Sequence, residues 1–339
     1  MLDMFLESGV EKLIKRFRGY RWLGYAVVIL TLVVIGLPAI LVRGCVWEGR
    51  EPIGEEEGGL QVKLQMSAGQ VVSMPLEQYI TGVVAAEMPA SFHQEALKAQ
   101  AVAARTYTLL RLTRDSQNEK HPAAQLCADP GHCQAWIDAT EMRKRWGWHF
   151  RANYNKIAGA VEATRGQVLT HNGELIDPVY HSSCGGRGTE DAREVWGHEV
   201  PYLKSVRCTF DPPYRQEPVV TRLSLQEIFT RLGISEQSVP AAAASGGVVE
   251  IQERTESGRV KSVKVGSQFC RGVDLRKELG LRSTDFKVTS AGKEIVFYTQ
   301  GYGHAVGMCQ YGAGGIANRG AKYNQILAHY YKGTKLEQR

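Results

Sequence analysis

Three stretches of this 339-residue chain concentrate side chains capable of chemistry: residues 84–107 (VAAEMPASFHQEALKAQAVAARTY), 180–186 (YHSSCGG) and 301–313 (GYGHAVGMCQYGA). In the first, Glu87 is a lone acid after Val83-Val84-Ala85-Ala86 and before Met88-Pro89. A carboxyl among apolar neighbours at a helix end loses hydration, and desolvation raises its pKa. Such a group holds a proton near neutral pH and can donate it to a leaving oxygen. The plainer reading is a solvated helix-end acid. Lys98 and Arg105 stand seven residues apart, so they project from nearly the same helix face. They could bind ligand hydroxyls or a carboxylate, for which a guanidinium is suited. A solvated basic stripe or an internal ion pair would use the same spacing. In the second stretch Ser182 and Ser183 supply hydroxyls, and Gly185-Gly186 let backbone approach a ligand closely. In the third, glycines free the backbone around His304, Gln310 and Tyr311. Glycine turns are also built for purely structural reasons.

A fourth cluster lies in the loop that holds His121, Cys127, His132 and Cys133 within thirteen residues. Thiolate and neutral imidazole are the ligands zinc prefers, and four of them close a tetrahedral site with no position left for a catalytic water. The spacing is not that of a standard finger, and a Cys127–Cys133 disulfide is the alternative in an exported domain. The other cysteines are Cys45, Cys184, Cys208, Cys270 and Cys309, an odd total of seven that leaves at least one unpaired or bound elsewhere.

The elements that must position these residues follow from periodicity. Alternating LQVKLQ and VVSMPL predict a strand pair turning near 67–69. Residues 76–86 and the Ala-rich 95–112 read as helices, the second without a breaker. A further helix is expected at 154–164. The period then changes: QVLTHNGELIDPVYHSS reads as a hairpin about Asn172-Gly173, and VVEIQERTESGRVKSVKV as another about Ser257-Gly258. LSLQEIFTRLG and VDLRKELG read as helices, 240–247 as a linker, IVFYTQ as a strand and 312–327 as one last helix. Helices and hairpins without regular βαβ alternation predict an α+β fold.

Composition sets the compartment. The chain is 43% hydrophobic and 22% charged, which excludes a disordered or fibrous protein. A net charge of +6 and pI near 8.9 suit a neutral or anionic partner, such as a cell-wall polymer or membrane surface, and do not call for nucleic acid. Residues 1–22 carry five basic side chains, and residues 23–42 carry no charge. Twenty helical residues span about 30 Å, a bilayer core. The expected layout is a cytoplasmic tail (1–22), a transmembrane helix (23–42), a polar linker (43–59) and an exported domain (60–339). A cleaved signal peptide and a lipidated Cys45 fit less well: the apolar run is long, and Arg43 sits where a small residue is needed.

The three stretches, in this order, resemble the stage II sporulation protein D family, which shares its domain with amidase-enhancer proteins. The resemblance covers nearly all of residues 60–339. It implies a membrane-anchored lytic transglycosylase that cuts peptidoglycan glycan strands between N-acetylmuramic acid and N-acetylglucosamine during forespore engulfment, leaving 1,6-anhydromuramic ends. The family's catalytic glutamate falls on Glu87. Lys98 and Arg105, Ser182 and Ser183, His304, Gln310 and Tyr311 stand in the matching motifs, and Tyr202 and Lys204 in PYLKSV match more weakly. Some members carry zinc on the segment containing His121, Cys127, His132 and Cys133. Ala305 and Cys309 depart from the usual glycine and serine. The partners implied are glycan strands, the sporulation amidase known as stage II sporulation protein P, and other engulfment membrane proteins. A non-catalytic module that binds glycan and stimulates an amidase is the alternative, and a zinc hydrolase would need an open metal site. An acid at the cleavage point separates enzyme from module.

Overall fold

A computed structural model describes residue 25 and residues 29–36, 59–66, 69–113, 120–235, 248–291 and 294–339. The chain divides into two units, residues 1–51 and 52–339. In the first, the described backbone is helical and includes a π-helical turn at Leu32–Gly36, with Ile29, Leu30, Leu32, Val33 and Val34 exposed. No helix among the described residues is long and apolar enough to cross a membrane, so the single-pass anchor expected at 23–42 is not seen as a spanning helix. Most of that run, the tail 1–22, the linker except Gly59, and the 240–247 linker lie outside the described residues.

The second unit is α+β. Its elements are β1 (Gln61–Gln65), β2 (Val71–Pro75), α1 (Leu76–Glu87), α2 (Gln94–Thr113), β3 (Leu126–Cys127), α3 (Ala139–Trp146), α4 (Phe150–Glu162), β4 (Gln167–His171), β5 (Glu174–Leu175), β6 (Tyr180–His181), α5 (Ala192–Trp196), α6 (Pro213–Gln216), β7 (Val219–Ser224), α7 (Leu225–Leu232), β8 (Val249–Arg254), β9 (Val260–Val265), β10 (Gln268–Arg271), α8 (Gly272–Leu279), β11 (Phe286–Ala291), β12 (Glu294–Thr299), β13 (Met308–Cys309), α9 (Gln310–Ala317), α10 (Tyr323–Tyr330) and β14 (Lys335–Gln338). They form small sheets ordered β2-β1-β3, β14-β4-β5, β13-β6, β10-β9-β8 and β11-β12-β7. Both expected hairpins are present. The first turns at Asn172 and Gly173 with φ of 54° and 85°, the left-handed pair that Asn-Gly supplies. The last helix is not continuous: α9 and α10 are separate, and Gly320 between them has φ 93°.

The larger core is built around α2. Its Ala99, Ala101, Ala103 and Ala104 are fully buried, and the lack of bulk lets α1, α4, β4, α9 and α10 all pack on it. Enlarging one of these alanines would overpack the centre at a cost of about 1–3 kcal/mol. A second core is formed wholly within residues 223–297, from Leu223, Ile228, Val263, Leu275, Phe286 and Phe297 among others.

Arg105 on α2 is fully buried and does not face a ligand cavity. Its Nε donates to Glu77 Oε1 at 2.8 Å and its Nη2 to Glu77 Oε2 at 2.6 Å. Further hydrogen bonds reach Gln167 O and Val161 O, each at 3.2 Å. The expected binding role for Arg105 is thus replaced by an internal ion pair that joins α1, α2, α4 and β4. Removing one partner of such a pair leaves an uncompensated buried charge, worth about 3–5 kcal/mol. Arg105→Ala is therefore expected to destabilise the protein by about that amount in urea unfolding, and Arg105→Met combined with Glu77→Leu to recover most of the loss. Wild-type stability in Arg105→Ala would contradict this assignment.

Candidate functional site

Helix α1 delivers Glu87 as its last residue, where the helix backbone ends and Met88 turns extended. The carboxyl is held by groups from two distant segments. Ala135 N–H donates to Oε1 at 3.0 Å, and the Gln310 side-chain amide donates to Oε2 at 3.3 Å. The first contact depends on Gly82, one turn and a half earlier on α1. A Cβ there would lie 2.1 Å from Trp136 Nε1, so only glycine lets the indole settle on the helix and bring Ala135 to the acid. Gln310 is buried at the start of α9, and its amide also reaches Gln100 Oε1 on α2 at 3.4 Å. Burial raises the Glu87 pKa above the usual carboxyl value, and the two hydrogen bonds oppose that shift.

Glu87 opens into a cavity of about 490 Å³, shared with Tyr107, Gln134, Tyr180, His181, Ser182, Arg276, Tyr302, His304 and Gln310. Among the described residues lining it, Glu87 is the one carboxylate. Gln134 donates to Tyr180 Oη at 2.8 Å. Burial, with the nearby Glu87 charge, keeps that phenol protonated. His304 is locked as a neutral ring: Val306 N–H donates to its Nδ1 at 3.1 Å, and its Nε2 donates to Tyr180 O at 3.0 Å. Its pKa is pushed down to about 4 by burial and the Arg276 charge. Both ring nitrogens are thus used by backbone, and His304 shapes the wall through its ring. His181 donates from Nδ1 to Val306 O at 3.1 Å, which leaves the buried Nε2 as an acceptor without a protein partner.

Of the expected site residues, Glu87, Ser182, His304 and Gln310 meet in this cavity, and the others serve elsewhere. Lys98 pairs with Glu95 at 2.8 Å, and Glu95 in turn accepts from Tyr323 N–H at the start of α10. Ser183 is buried and donates to Asp211. Tyr202 Oη accepts from Asp177 N–H at 3.0 Å. Lys204 pairs with Glu199 and, at 3.6 Å, with Asp191. Tyr311 packs edge-on against Phe92 with ring centroids 4.9 Å apart and lines a separate, smaller cavity. The polar atoms of Lys98, Ser183, Tyr202 and Lys204 are taken up by nearer protein groups, Tyr311 Oη accepts from Arg215, and none of the five lines the Glu87 cavity. Arg276, Tyr302 and His181 were missed. Arg276 lies in a helix with no motif to single it out, whereas Tyr302 and His181 lie inside the motifs beside residues of more obvious chemistry.

Ala305 has φ 67°, a left-handed conformation that costs a non-glycine residue roughly 1–2 kcal/mol. The carbonyl of Ala305 accepts from Glu190 N–H at 2.7 Å, so the turn keeps this conformation despite the methyl group.

The loop behind the cavity gathers His121, Cys127, His132 and Cys133 with all ligand atoms within 4.8 Å of one another. Cys127 Sγ and Cys133 Sγ lie 3.4 and 3.5 Å from His132 Nδ1, and Cys133 Sγ lies 3.5 Å from His121 Nε2. Tetrahedral zinc with bonds of about 2.3 Å to sulfur and about 2.1 Å to nitrogen separates S from N by about 3.6 Å. His121 donates from Nδ1 to Ala124 O at 2.9 Å, which turns Nε2 towards the cluster. Both cysteines are free thiols. The donor set fits zinc, and Cys133 and Gln134 carry the loop from this cluster into the cavity wall.

A family model described as Stage II sporulation protein matches residues 65–171. Over 283 residues the chain is 35% identical to Stage II sporulation protein D of Bacillus subtilis (strain 168), covering 82% of this chain and 79% of that one. The protein of the same name from Bacillus amyloliquefaciens is 34% identical over 291 residues, covering 86% and 82%. The Amidase enhancer of Bacillus subtilis is 33% identical over 310 residues, covering 76% of this chain and 40% of the enhancer.

The raised Glu87 pKa has a signature in stability. Folding favours the protonated carboxyl, so this contribution is fully present below the unfolded value near 4.5 and is lost as pH rises through the folded value. In Glu87→Gln the contribution is absent. Urea midpoints measured from about pH 4 to about pH 8 are expected to show an advantage of Glu87→Gln over wild type that grows with pH. A pH-independent difference would mean the carboxyl is not desolvated.

Proposed function

The chain belongs to the stage II sporulation protein D family, and from that premise we propose that it is a peptidoglycan lytic transglycosylase of sporulation in which Glu87 is both acid and base. The observation that carries this reading is the one carboxyl among the described residues lining the cavity, made more basic by burial yet supplied with two N–H donors. Common glycosidases use two carboxylates, one as acid and one as base or nucleophile. One suffices when the substrate provides its own nucleophile. Neutral Glu87 protonates the glycosidic oxygen as the bond from muramic C1 breaks. The resulting carboxylate, held by Ala135 N–H and Gln310, then accepts the proton of the muramic 6-hydroxyl as that oxygen bonds to C1. The product carries a 1,6-anhydro ring, and Glu87 ends protonated as it began. Burial favours the first state and the hydrogen bonds the second, so neither is prohibitively costly. Arg276 is the guanidinium available to the lactyl carboxylate, and His181 Nε2 can accept from a sugar hydroxyl.

The same reading includes a structural zinc on His121, Cys127, His132 and Cys133. It also includes attachment to the membrane at the sporulation septum through the uncharged run 23–42, and action beside the sporulation amidase, stage II sporulation protein P. A second reading, a non-catalytic enhancer of an amidase, has the 33% identity to the Amidase enhancer in its favour.

Purified wild type and Glu87→Gln incubated with peptide-free glycan strands separate the two. Loss of a general acid–base costs on the order of 10²–10⁴-fold. Mass spectrometry is therefore expected to find anhydromuramic ends with wild type and a loss of that size with Glu87→Gln, while glycan binding persists. Equal release by both proteins, or reducing muramic ends, would reject the mechanism. Amidase stimulation that survives in Glu87→Gln without any glycan cleavage by wild type would establish the enhancer instead. For the zinc, Cys127→Ser with Cys133→Ser is expected to remove one equivalent of metal and lower the unfolding midpoint. An unchanged metal content would exclude this site.

A further inference from the structure

Outside the cavity, four more soft and anionic side chains converge. Cys184, Cys208, Asp211 and Cys309 are all buried, with every ligand atom within 4.8 Å of the others. Asp211 Oδ1 lies 3.0 Å from Cys309 Sγ, 3.5 Å from Cys184 Sγ and 3.9 Å from Cys208 Sγ. In a tetrahedral zinc site the S-to-O separation is about 3.6 Å, given bonds of about 2.3 and 2.1 Å. The three distances bracket that value. All three cysteines are free.

The surroundings are arranged as those of a ligand shell. Asp211 Oδ2 is tethered by the Ser183 hydroxyl and by Gly185 N–H at 3.1 Å, so Oδ1 is the oxygen turned to the sulfurs. Cys309 Sγ accepts from Cys184 N–H and from Gly312 N–H, each at 3.2 Å. Cys208 Sγ lies 3.1 Å from Tyr330 Oη. Neutral thiols are weak acceptors, whereas thiolates on a metal need such donors to offset their charge. A disulfide would consume two sulfurs and leave the third, together with a buried carboxylate, facing it without purpose. A divalent cation uses all four groups.

We propose that Cys184, Cys208, Asp211 and Cys309 bind a second zinc, distinct from the one on the 121–133 loop. Four ligands close the tetrahedron, so the metal is structural, and its binding displaces the thiol protons. It joins three segments far apart in the chain at a point where two of them enter the cavity. Cys309 immediately precedes Gln310, whose amide holds Glu87, and Cys184 lies two residues beyond Ser182. The metal fixes the arm that carries Gln310.

Elemental analysis of the full chain, purified without chelators, is expected to give two zinc per chain. Cys127→Ser with Cys133→Ser retains one, and Cys184→Ser with Cys309→Ser retains the other. If the second pair does not fold, cobalt loading of the Cys127→Ser, Cys133→Ser chain decides: thiolate-to-cobalt charge-transfer absorption supports the site, and its absence overturns it. Asp211→Asn preserves the shape and is expected to release zinc to a chelator faster than wild type. A single zinc lost entirely with Cys127 and Cys133 would overturn the proposal. So would a disulfide among Cys184, Cys208 and Cys309 in the denatured, alkylated protein.

Discussion

The guanidinium of Arg105 is fully buried, and its hydrogen bonds run to Glu77, Val161 and Gln167. A charge in that position is tolerable only if its partners are all in place together. Glu77 must come from the first turn of α1, the Val161 carbonyl from the end of α4, and the Gln167 carbonyl from the start of β4. The pair therefore sets the register of α1 against α2, and that register determines where α1 ends. Glu87 is at that end. The acid is thus positioned from its own helix outward, by an ion pair ten residues earlier that never touches the cavity.

What reaches Glu87 from elsewhere is polar and modest: one backbone N–H and one amide. Each is placed by a close-packing requirement. Trp136 can approach α1 only over Gly82, and Gln310 is buried between Glu87 and Gln100. Apolar packing supplies the precision, and the hydrogen bonds tune the acid. A surface carboxylate could have the same two donors but would lack the burial that raises the Glu87 pKa.

The sequence made the acid, the two glycine-rich turns and the ligand-dense loop visible because each is local: its residues lie within a few turns of one another. Both hairpins were legible for the same reason, through Asn172-Gly173 and Ser257-Gly258. Lys98 and Arg105, seven residues apart on one helix, could be assigned to a common face, but spacing does not say what lies opposite. Glu77 is 28 residues before Arg105 and had nothing to distinguish it from an ordinary first-turn acid. The break between α9 and α10 was hidden because Ala-Asn-Arg-Gly at 317–320 resembles a weak helix until Gly320 turns left-handed. The second cysteine cluster draws on positions 184, 208, 211 and 309, and a search for dense ligand spacing cannot find a site spread over 125 residues.

The second core, confined to residues 223–297, has a consequence for how this protein can change over generations. Arg276 lies on α8, in that lobe, and lines the same cavity as Glu87, which belongs to the main core. Polar links join the two lobes, among them Arg259 to the Cys184 and Gly188 carbonyls, Arg187 to Asp285, and Thr255 and Ser257 to Glu190. Mutations that alter one wall of the cavity are therefore absorbed by a different hydrophobic core from the one that holds the acid. Selection can retune what the cavity accepts without drawing on the stability reserve that keeps its proton donor in place.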